Sequence, residues 1–562
     1  MNDMNRILEL PRMEWTPEEV EELRDKWTAR FRVPGGEWRF NPDQATSLEE
    51  ASITKAALLP ITTGGGKTLL SMVLPFAVGI APERTVVLCP PGLEEEAALE
   101  REKYLRHFDL GEKGPIYVPY SRLSREAGIT LLDTLAPDLI IADEAHNLRN
   151  KDAARTNRFL MYMHANPHVR FVAMSATFST SALVDFGHLS ALALREGSPL
   201  PLHWPTLATW GRCIDAQPQI PPSGMDWHFV RPLMDAFGSE GQTGREIARS
   251  ALQARMMSTP GVVVSDGDSC DRALYCEHVK LPVPPSIEIA VSHLREYGEL
   301  PNGSEIDTPM HVVGAWKQLS MGFFYYPDWP NGEVDTVWLK RKRDFNRELY
   351  AYAGLGKKGL DTPFLVERAL AEKKITHTAL NRAWEAWKEV RFRLAPPRAT
   401  DWVDDSVLRS IVELALNMPG PTLLWIDHTA VADKLREWGI EVARLNKRPG
   451  PPPANGVMGV HIRSHATGYN LQEYTYNVIA SPPSNAALWQ QLLGRTHRNG
   501  QAQDVHVTVL QHSRPYRKAW STSRVQAKYI EETFGLIQKL NHLEWKAPES
   551  CENELDNEMD GL

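Results

Sequence analysis

A glycine-rich stretch near the start of the chain combines residue types that can bind phosphate. An apolar run leads into a loop and a second apolar stretch, and the loop residues are Thr63, Gly64, Gly65, Gly66, Lys67 and Thr68. This order predicts strand, tight loop and helix, in which backbone N–H groups and the helix N-terminus face an anion. Lys67 would reach the β- and γ-phosphates of ATP, and the Thr68 hydroxyl would hold Mg²⁺. Ile61 stands where the strict pattern has an outer glycine, so an ordinary glycine-rich turn is the alternative.

A pair of acidic residues follows a second apolar run. Residues 137–146 read Pro-Asp-Leu-Ile-Ile-Ala-Asp-Glu-Ala-His, which predicts a strand that ends in two carboxylates. Asp143 at the strand end can hold the Mg²⁺ that bridges the phosphates, and Glu144 can orient or deprotonate the attacking water. Paired acids after a strand are common, but their position after a phosphate loop favours nucleotide hydrolysis.

Two later stretches complete an ordered set of motifs. Residues 175–177 read Ser-Ala-Thr, and residues 491–498 read Gln-Leu-Leu-Gly-Arg-Thr-His-Arg. With 63–68 and 143–146, they resemble the motifs of superfamily 2 helicases and translocases of the DEAH-box type. The run 494–501, Gly-Arg-Thr-His-Arg-Asn-Gly-Gln, is most similar to the Swi/Snf-like branch and its phage and prophage members. In that family the outer glycine is not required. The resemblance covers about 38–180 and 420–510, but not the middle of the chain.

The resemblance implies roles for further residues. Gln44 would recognise the adenine base, because its amide can donate and accept at once; a solvated glutamine at a helix start is the alternative. The hydroxyl residues of 175–177 would bond to the acidic loop and link nucleotide state to lobe movement. Gly468 lies in a stretch similar to the family's Gly-x-Asn-Leu turn between ATP and nucleic acid.

The same resemblance places arginines of a second lobe at the ATP site. Arg495 and Arg498 lie three apart, so on a helix they share one face, and Gln491 would be their polar partner. A guanidinium is always charged and binds phosphate oxygens, and such a finger typically contributes about 10³–10⁵ in rate. Two surface arginines on a charged helix are the alternative.

The alternation of strands and helices predicts the architecture. The expected fold is α/β, with two RecA-like parallel-sheet lobes and a large, mainly helical insertion between them. The predicted segments are an ATP-binding lobe at 1–180, an insertion at 181–405, a second lobe at 406–546 and an acidic, disordered tail at 547–562. Ligands are expected at the carboxyl ends of the strands. Within the insertion, the basic run 340–343 is either a solvated helix face or a surface that follows phosphates.

Composition limits the class of protein. The 562 residues are 42% hydrophobic and 24% charged, which is typical of a globular chain of three or four domains. No apolar run approaches the roughly 20 residues of a membrane span, and no signal peptide is predicted. Five cysteines without a Cys-x-x-Cys pair fit a reducing cytoplasm, that of the host if the chain is phage-encoded. The net charge of −9 lends no electrostatic support to nucleic-acid binding.

Three functions remain open on the sequence. The favoured one is an ATP-driven motor on nucleic acid, a DNA helicase or duplex DNA translocase, with duplex DNA as the expected track. The second is an ATP-switched remodeler or loader that acts on phage or host proteins, which the negative charge and acidic tail fit as well. The third is an RNA helicase. No membrane partner is expected.

Overall fold

A computed structural model of this chain describes residues 3–62, 64–151, 153–239, 244–265, 267, 270–306, 309–329, 332–353, 360, 362–393, 395–445, 447–466 and 469–545. Three predictions concern residues outside these ranges: Thr63, Gly468 and the tail at 547–562. The chain forms two compact units. The first unit comprises Met1–Gly267, Trp329–Pro396 and Tyr529–Ile537, and the second comprises Asp268–Asp328, Pro397–Lys528 and Gln538–Leu562.

Strands and helices are numbered in chain order. The strands are β1 (Ala57–Pro60), β2 (Thr85–Cys89), β3 (Ile116–Pro119), β4 (Leu139–Asp143), β5 (Arg170–Ser175), β6 (Leu274–Val279), β7 (Phe323–Pro327), β8 (Arg398–Trp402), β9 (Thr422–Ile426), β10 (Glu441–Val442), β11 (Val457–His461), β12 (Tyr476–Ile479), β13 (Val505–Leu510) and β14 (Glu544–Trp545).

The helices up to residue 319 are α1 (Asp3–Glu9), α2 (Pro17–Phe31), α3 (Pro42–Thr54), α4 (Lys67–Val78), α5 (Leu93–Tyr104), α6 (Tyr120–Leu123), α7 (Leu131–Leu135), α8 (Ala154–Ala165), α9 (Gly187–Leu194), α10 (Trp204–Ile214), α11 (Gly224–Phe237), α12 (Gly244–Met257), α13 (Pro285–Tyr297) and α14 (Pro309–Leu319). The later helices are α15 (Thr336–Ala353), α16 (Pro363–Ala371), α17 (Thr378–Lys388), α18 (Ser406–Leu416), α19 (Thr429–Glu437), α20 (Ile462–His465), α21 (Ala486–Thr496) and α22 (Arg514–Phe534).

A parallel sheet forms the centre of the first unit. Among the described residues its strand order is β1-β5-β4-β2-β3. Every residue of β1, β2 and β4 is buried, which is typical of parallel strands covered by helices on both faces. The register pairs Pro60 with Ser175 and Asp143 with Met174, so the carboxyl ends of β1, β4 and β5 meet at one edge of the sheet. The phosphate loop, the acid pair and the Ser-Ala-Thr stretch all begin at that edge.

Helix starts in the first unit follow their sequence signals. Helix α2 begins after Thr16 with a capping box, in which the Thr16 hydroxyl accepts from the Glu19 N–H and the Glu19 carboxylate accepts from the Thr16 N–H. Helix α4 begins at Lys67, as the loop pattern predicts, and continues through Pro75 to Val78. A proline inside a helix predicts a kink or an early end, and α4 does not end at Pro75.

A second parallel sheet forms the centre of the second unit. Its order among the described residues is β10-β11-β9-β12-β13-β6-β14. Strand β6 pairs with β13 in parallel, although it precedes that strand by more than 200 residues. The sequence suggested a strand at 279–283; the strand instead ends at Val279. A separate antiparallel ribbon of β7 and β8 belongs to the same unit.

Helices α15, α16 and α17 share a small core of their own within the first unit. This core includes Phe345, Val366, Leu380 and Trp384. The sequence predicted one continuous helical pattern over 365–393, whereas the structure has two helices there, α16 and α17.

The predicted fold class is confirmed at the level of two parallel sheets with many helices. The finer prediction of two lobes with an insertion stays a prediction. Among the described helices, none combines the length and apolar composition that crossing a bilayer requires.

Candidate active site

The phosphate loop has a backbone shape that only glycine adopts easily. Gly64 and Gly66 have φ of 92° and 81°, in the left-handed region that disfavours side chains. A Cβ on Gly66 would lie 2.2 Å from the amide nitrogen of Gln44, and one on Gly65 would lie 2.6 Å from Ile61 Cγ2. The loop is therefore a close-fitting backbone turn before helix α4, as phosphate binding requires.

Gln44 is packed against this loop rather than solvated. Its side chain is 6% exposed, its Oε1 accepts from the Asn41 N–H at 3.0 Å, and its Nε2 donates to the Gly66 carbonyl at 3.3 Å. Asn41 Nδ2 donates to the Gly65 carbonyl at 3.3 Å. The solvated alternative for Gln44 is wrong. Adenine recognition stays a prediction, and in this structure the amide holds the loop.

Lys67 lies over the loop. Its ammonium is buried, donates to the carbonyls of Ile61 at 3.1 Å and Thr62 at 3.3 Å, and lies 3.5 Å from Glu144 Oε1. The lysine at the start of α4 and the glutamate directly after β4 thus form one charged pair. A phosphate oxygen is a stronger acceptor for an ammonium than a carbonyl is, because the hydrogen bond is then charge-assisted on both sides.

Asp143 is a buried carboxyl next to a second carboxylate. Burial, and after it the charge of Glu144, raise the pKa of Asp143 to about 7, while the Lys67 ammonium opposes the shift. One Asp143 oxygen accepts from the Glu144 N–H at 3.0 Å. A cation bound next to Asp143 would stabilise the ionised carboxylate and offset the cost of burying its charge. The carboxyl group is therefore suited to bind a metal ion.

Glu144 sits in a backbone conformation that side chains rarely adopt. Its φ and ψ are both 53°, in the left-handed region. This conformation costs a non-glycine residue of order 1–3 kcal/mol, and residues that adopt it cluster at functional sites. The buried Tyr120 hydroxyl donates to the Asp143 carbonyl at 2.8 Å, directly before this turn. Tyr120 was not predicted as a site residue, although its place just after β3 puts it at the same sheet edge.

Ser175 and His146 surround the Glu144 carboxylate. Glu144 Oε2 lies 3.3 Å from His146 Nδ1 and 3.5 Å from Ser175 Oγ, and the last two atoms are 3.2 Å apart. The Thr177 N–H donates to Ser175 Oγ at 3.1 Å. The expected contact between the Ser-Ala-Thr stretch and the acidic loop is therefore present, through the serine.

The residues of the first unit fit Mg²⁺ and a nucleotide phosphate. Thr68 and Asp143 supply a hydroxyl and a carboxylate, the hard oxygen donors that Mg²⁺ prefers. Two protein donors suffice for a metal that keeps waters and phosphate oxygens as its other ligands. Among the described residues there is no cluster of three or more His, Cys, Asp and Glu side chains that would suit a metal held by protein alone.

The arginines of the second unit are placed differently from the prediction. Helix α21 ends at Thr496 and His497 has a non-helical ψ of 87°, so Arg498 lies beyond the helix and shares no helical face with Arg495. Arg495 is 7% exposed, and its guanidinium donates to the carbonyls of Gln491 and Tyr469 at 3.0 Å. Arg495 thus has a structural role within this unit.

Arg498 and Gln491 are half-buried in the same unit. The Arg498 carbonyl accepts from the Gln501 N–H at 3.0 Å and from Gln472 Nε2 at 3.4 Å, which orders the turn after the helix. Gln491 holds Arg495 through its backbone carbonyl, so the predicted side-chain partnership is not what connects them. A finger role stays a prediction for Arg498.

Comparison with known proteins adds no assignment. No protein-family model matches the chain, and a search of curated proteins finds no match.

Proposed function

We propose that this protein hydrolyses ATP and uses the reaction to drive movement on nucleic acid, as a DNA helicase or duplex DNA translocase. The observation that carries the proposal is the 3.5 Å contact between Lys67 Nζ and the Glu144 carboxylate. This contact joins a close-fitting glycine loop to an acid pair at one edge of a parallel sheet, and burial raises the pKa of Asp143 in that pair to about 7. Ligands of such sheets bind at that edge.

The roles follow from the chemistry of each group. Lys67 and the loop N–H groups would hold the β- and γ-phosphates, and Glu144 would accept a proton from the attacking water. Thr68 and Asp143 would hold Mg²⁺, which supplies positive charge against the charge that develops on the phosphates. Ser175 and His146 would fix the Glu144 carboxylate so that it faces the water rather than solvent.

Coupling to nucleic acid is the second part of the proposal. Its support is the order of the motifs along the chain, with acidic and glycine-loop residues in the first unit and the 491–498 stretch in the second. Because Arg495 is already bound to carbonyls, Arg498 is the better candidate for the arginine role that the motif resemblance implies. The polymer expected is duplex DNA.

One comparison tests both parts. ATP turnover is measured without polymer and with duplex DNA, single-stranded DNA or RNA, with Mg²⁺ present. The proposal predicts measurable basal turnover and the largest stimulation by duplex DNA. Stimulation by RNA alone would assign an RNA track, and turnover that no polymer changes would remove the motor part and leave an ATP-dependent switch.

A further inference from the structure

A cavity of about 290 Å³ lies in the first unit, at the edge of the sheet opposite the phosphate loop. It is lined by Ala56, which directly precedes β1, and by Arg170 and Phe171, which begin β5. The phosphate loop, in contrast, follows the end of β1. Small-molecule sites typically have volumes of about 300–1,000 Å³, so this cavity has the size for a small ligand. It does not belong to the candidate active site.

Most of the cavity wall is apolar. The apolar residues that line it include Leu10, Pro11, Phe171, Leu192, Leu194 and Pro260. The one hydroxyl among the described lining residues, that of Thr54, lies 2.8 Å from the Glu50 carbonyl and 2.6 Å from the Ala56 carbonyl, so it is already engaged. Such a wall favours a ligand with an apolar body, because burial removes apolar surface from water.

A buried arginine fixes the N-terminal part of this wall. The Arg255 guanidinium is fully buried and donates to the carbonyls of Leu10 at 3.3 Å and Pro11 at 2.9 Å. The segment that lines the cavity is therefore attached to helix α12. A ligand that binds here meets a preformed wall, so little affinity is lost in ordering the chain.

Two arginines line the cavity, and the described lining residues include no aspartate or glutamate. Arg170 is half-buried, and its guanidinium has no hydrogen bond or ion pair within the described part of the chain. The Arg195 guanidinium donates to the carbonyl of Pro167, three residues before Arg170, which brings the second cation to the same side of the cavity. A partly buried charge is costly unless it is paired, so an anion bound here would be stabilised.

The acids closest along the chain or on the paired strand are engaged elsewhere. Glu9 and Glu196 line a separate cavity. Asp138, just before β4, accepts from the Arg84 guanidinium at 2.8 Å and 2.7 Å. The positive charge at the cavity is therefore not balanced by these carboxylates.

Arg195 also has a strained backbone. Its φ is 53° and its ψ is −127°, a conformation that glycine adopts easily and residues with side chains rarely do. The Arg195 N–H donates to the Ala191 carbonyl and ends helix α9. Glycine would serve this turn without strain, so the strain is tolerated at a position whose side chain lines the cavity.

We propose that this cavity binds a small organic anion with an apolar body, whose head group contacts Arg170 and Arg195. Guanidinium groups bind carboxylate or phosphate oxygens through paired hydrogen bonds. The apolar body would lie against Phe171 and the leucines of α9. This inference does not depend on ATP hydrolysis, because the cavity and the phosphate loop lie at opposite edges of the sheet.

A small molecule is favoured over the end of a peptide because the strand edge here is already paired. Strand β1 is the outermost strand of its sheet, but the Leu58 N–H donates to the Gly261 carbonyl at 2.8 Å. The Leu58 carbonyl accepts from the Val263 N–H at 3.2 Å. An extended peptide gains much of its affinity from open backbone groups of this kind.

Calorimetric titration of the full chain tests the ligand class with four probes: octanoate, octyl phosphate, 1-octanol and acetate. The first two carry an anionic head and an apolar body, octanol lacks the charge, and acetate lacks the body. Hydrogen bonds to a charged group contribute a factor of about ten or more in affinity. At least one of the two octyl anions should therefore bind one saturable site about tenfold more tightly than octanol, and acetate should not saturate. The octyl anion that binds more tightly identifies the head group as a carboxylate or a phosphate ester.

Variants of the two arginines test the site itself. Arg170→Gln and Arg195→Gly should each weaken binding of the octyl anion about tenfold, whereas Arg170→Lys should lose less because it keeps the charge. Arg195→Gly removes the charge and relieves the backbone strain together, so its binding loss is not a folding defect. Arg231→Gln is the matched control, because Arg231 is 75% exposed in the same unit and does not line the cavity.

Thermal unfolding, recorded with and without the octyl anion, shows that each variant is folded. The anion should raise the midpoint of wild type and of Arg231→Gln more than that of Arg170→Gln or Arg195→Gly. Three results overturn the inference: no saturable binding of either octyl anion, octanol binding as tightly as the anions, or wild-type affinity in both folded arginine variants.

Discussion

The contact between Gly66 and Gln44 gives a prediction whose size follows from the geometry. Replacing Gly66 by Ala places a Cβ in a backbone conformation with φ of 81°, which costs about 1–2 kcal/mol for a residue with a side chain. The new Cβ also lies 2.2 Å from Gln44 Nε2, so the amide must move. Two hydrogen bonds of Gln44 are then lost, each worth about 1 kcal/mol. The free energy of unfolding should fall by about 3–4 kcal/mol.

The chain offers a matched control at the other end of the same helix. Gly79 has φ of 85°, but a Cβ there would meet no atom within 4 Å. Gly79→Ala should therefore cost only the backbone part, about 1–2 kcal/mol. The difference between the two alanine variants isolates the clash with Gln44.

Denaturant unfolding of four proteins tests this reasoning: wild type, Gly66→Ala, Gln44→Ala and the double variant. Because Gln44→Ala removes the atom that the new Cβ meets, the double variant should be more stable than the sum of single effects predicts, by about 1–2 kcal/mol. Nucleotide affinity should fall in Gly66→Ala and stay unchanged in Gly79→Ala. Additive effects, or equal costs for the two glycines, would show that Gln44 does not hold the loop.

Three further predictions concern the site and the polymer. Tyr120→Phe removes the hydrogen bond to the Asp143 carbonyl, which is worth about 1 kcal/mol. If this bond positions the acid pair, kcat for ATP should fall about fivefold at constant KM. A fall in stability with unchanged kcat would contradict that positioning role. Because the pKa of Asp143 is raised to about 7 and only the ionised form binds metal, the apparent Mg²⁺ affinity should fall about tenfold per pH unit below that value, and a flat profile from pH 7 to 5 contradicts it. Lys340 and Arg343 are exposed and have no ion pair among the described residues, whereas Arg347 pairs with Asp344 and Glu348. Charge reversal at Lys340 and Arg343 should therefore flatten the salt dependence of DNA binding more than charge reversal at Arg347 does. Equal effects at the three positions would favour a solvated helix face.

Local sequence patterns predicted the strands and the glycine loop at one edge of the first sheet, for a physical reason. Strand, glycine loop and helix start are set by neighbouring residues, so β4 and α4 lie where the apolar runs and glycines place them. The predicted strand 505–510 is β13 itself. Because the strands of the first unit's sheet are parallel, their carboxyl ends lie at the same edge, and this places the acid pair next to the glycine loop.

The errors arise where distant segments decide the structure. The sequence predicts that Arg495 and Arg498 share one helix, yet α21 ends at Thr496. His497 Nε2 donates to the Arg272 carbonyl at 2.6 Å and the Lys539 ammonium donates to Nδ1 at 2.8 Å. Gln44 and Arg495 likewise donate to backbone carbonyls, and only the folded structure shows which carbonyls these are.

The most direct test of ATP hydrolysis at this site compares Glu144→Gln with wild type. Glutamine keeps the size of the side chain but is a much poorer base, so ATP should still bind with Mg²⁺ while turnover falls by about 10²–10⁴. Lys67→Ala serves as the companion variant and should also lose nucleotide binding. Turnover is measured as phosphate release, and ATP affinity is measured separately in folded protein. Wild-type turnover in Glu144→Gln would contradict the assignment of the water-activating carboxylate, and wild-type turnover in both variants would contradict the site itself.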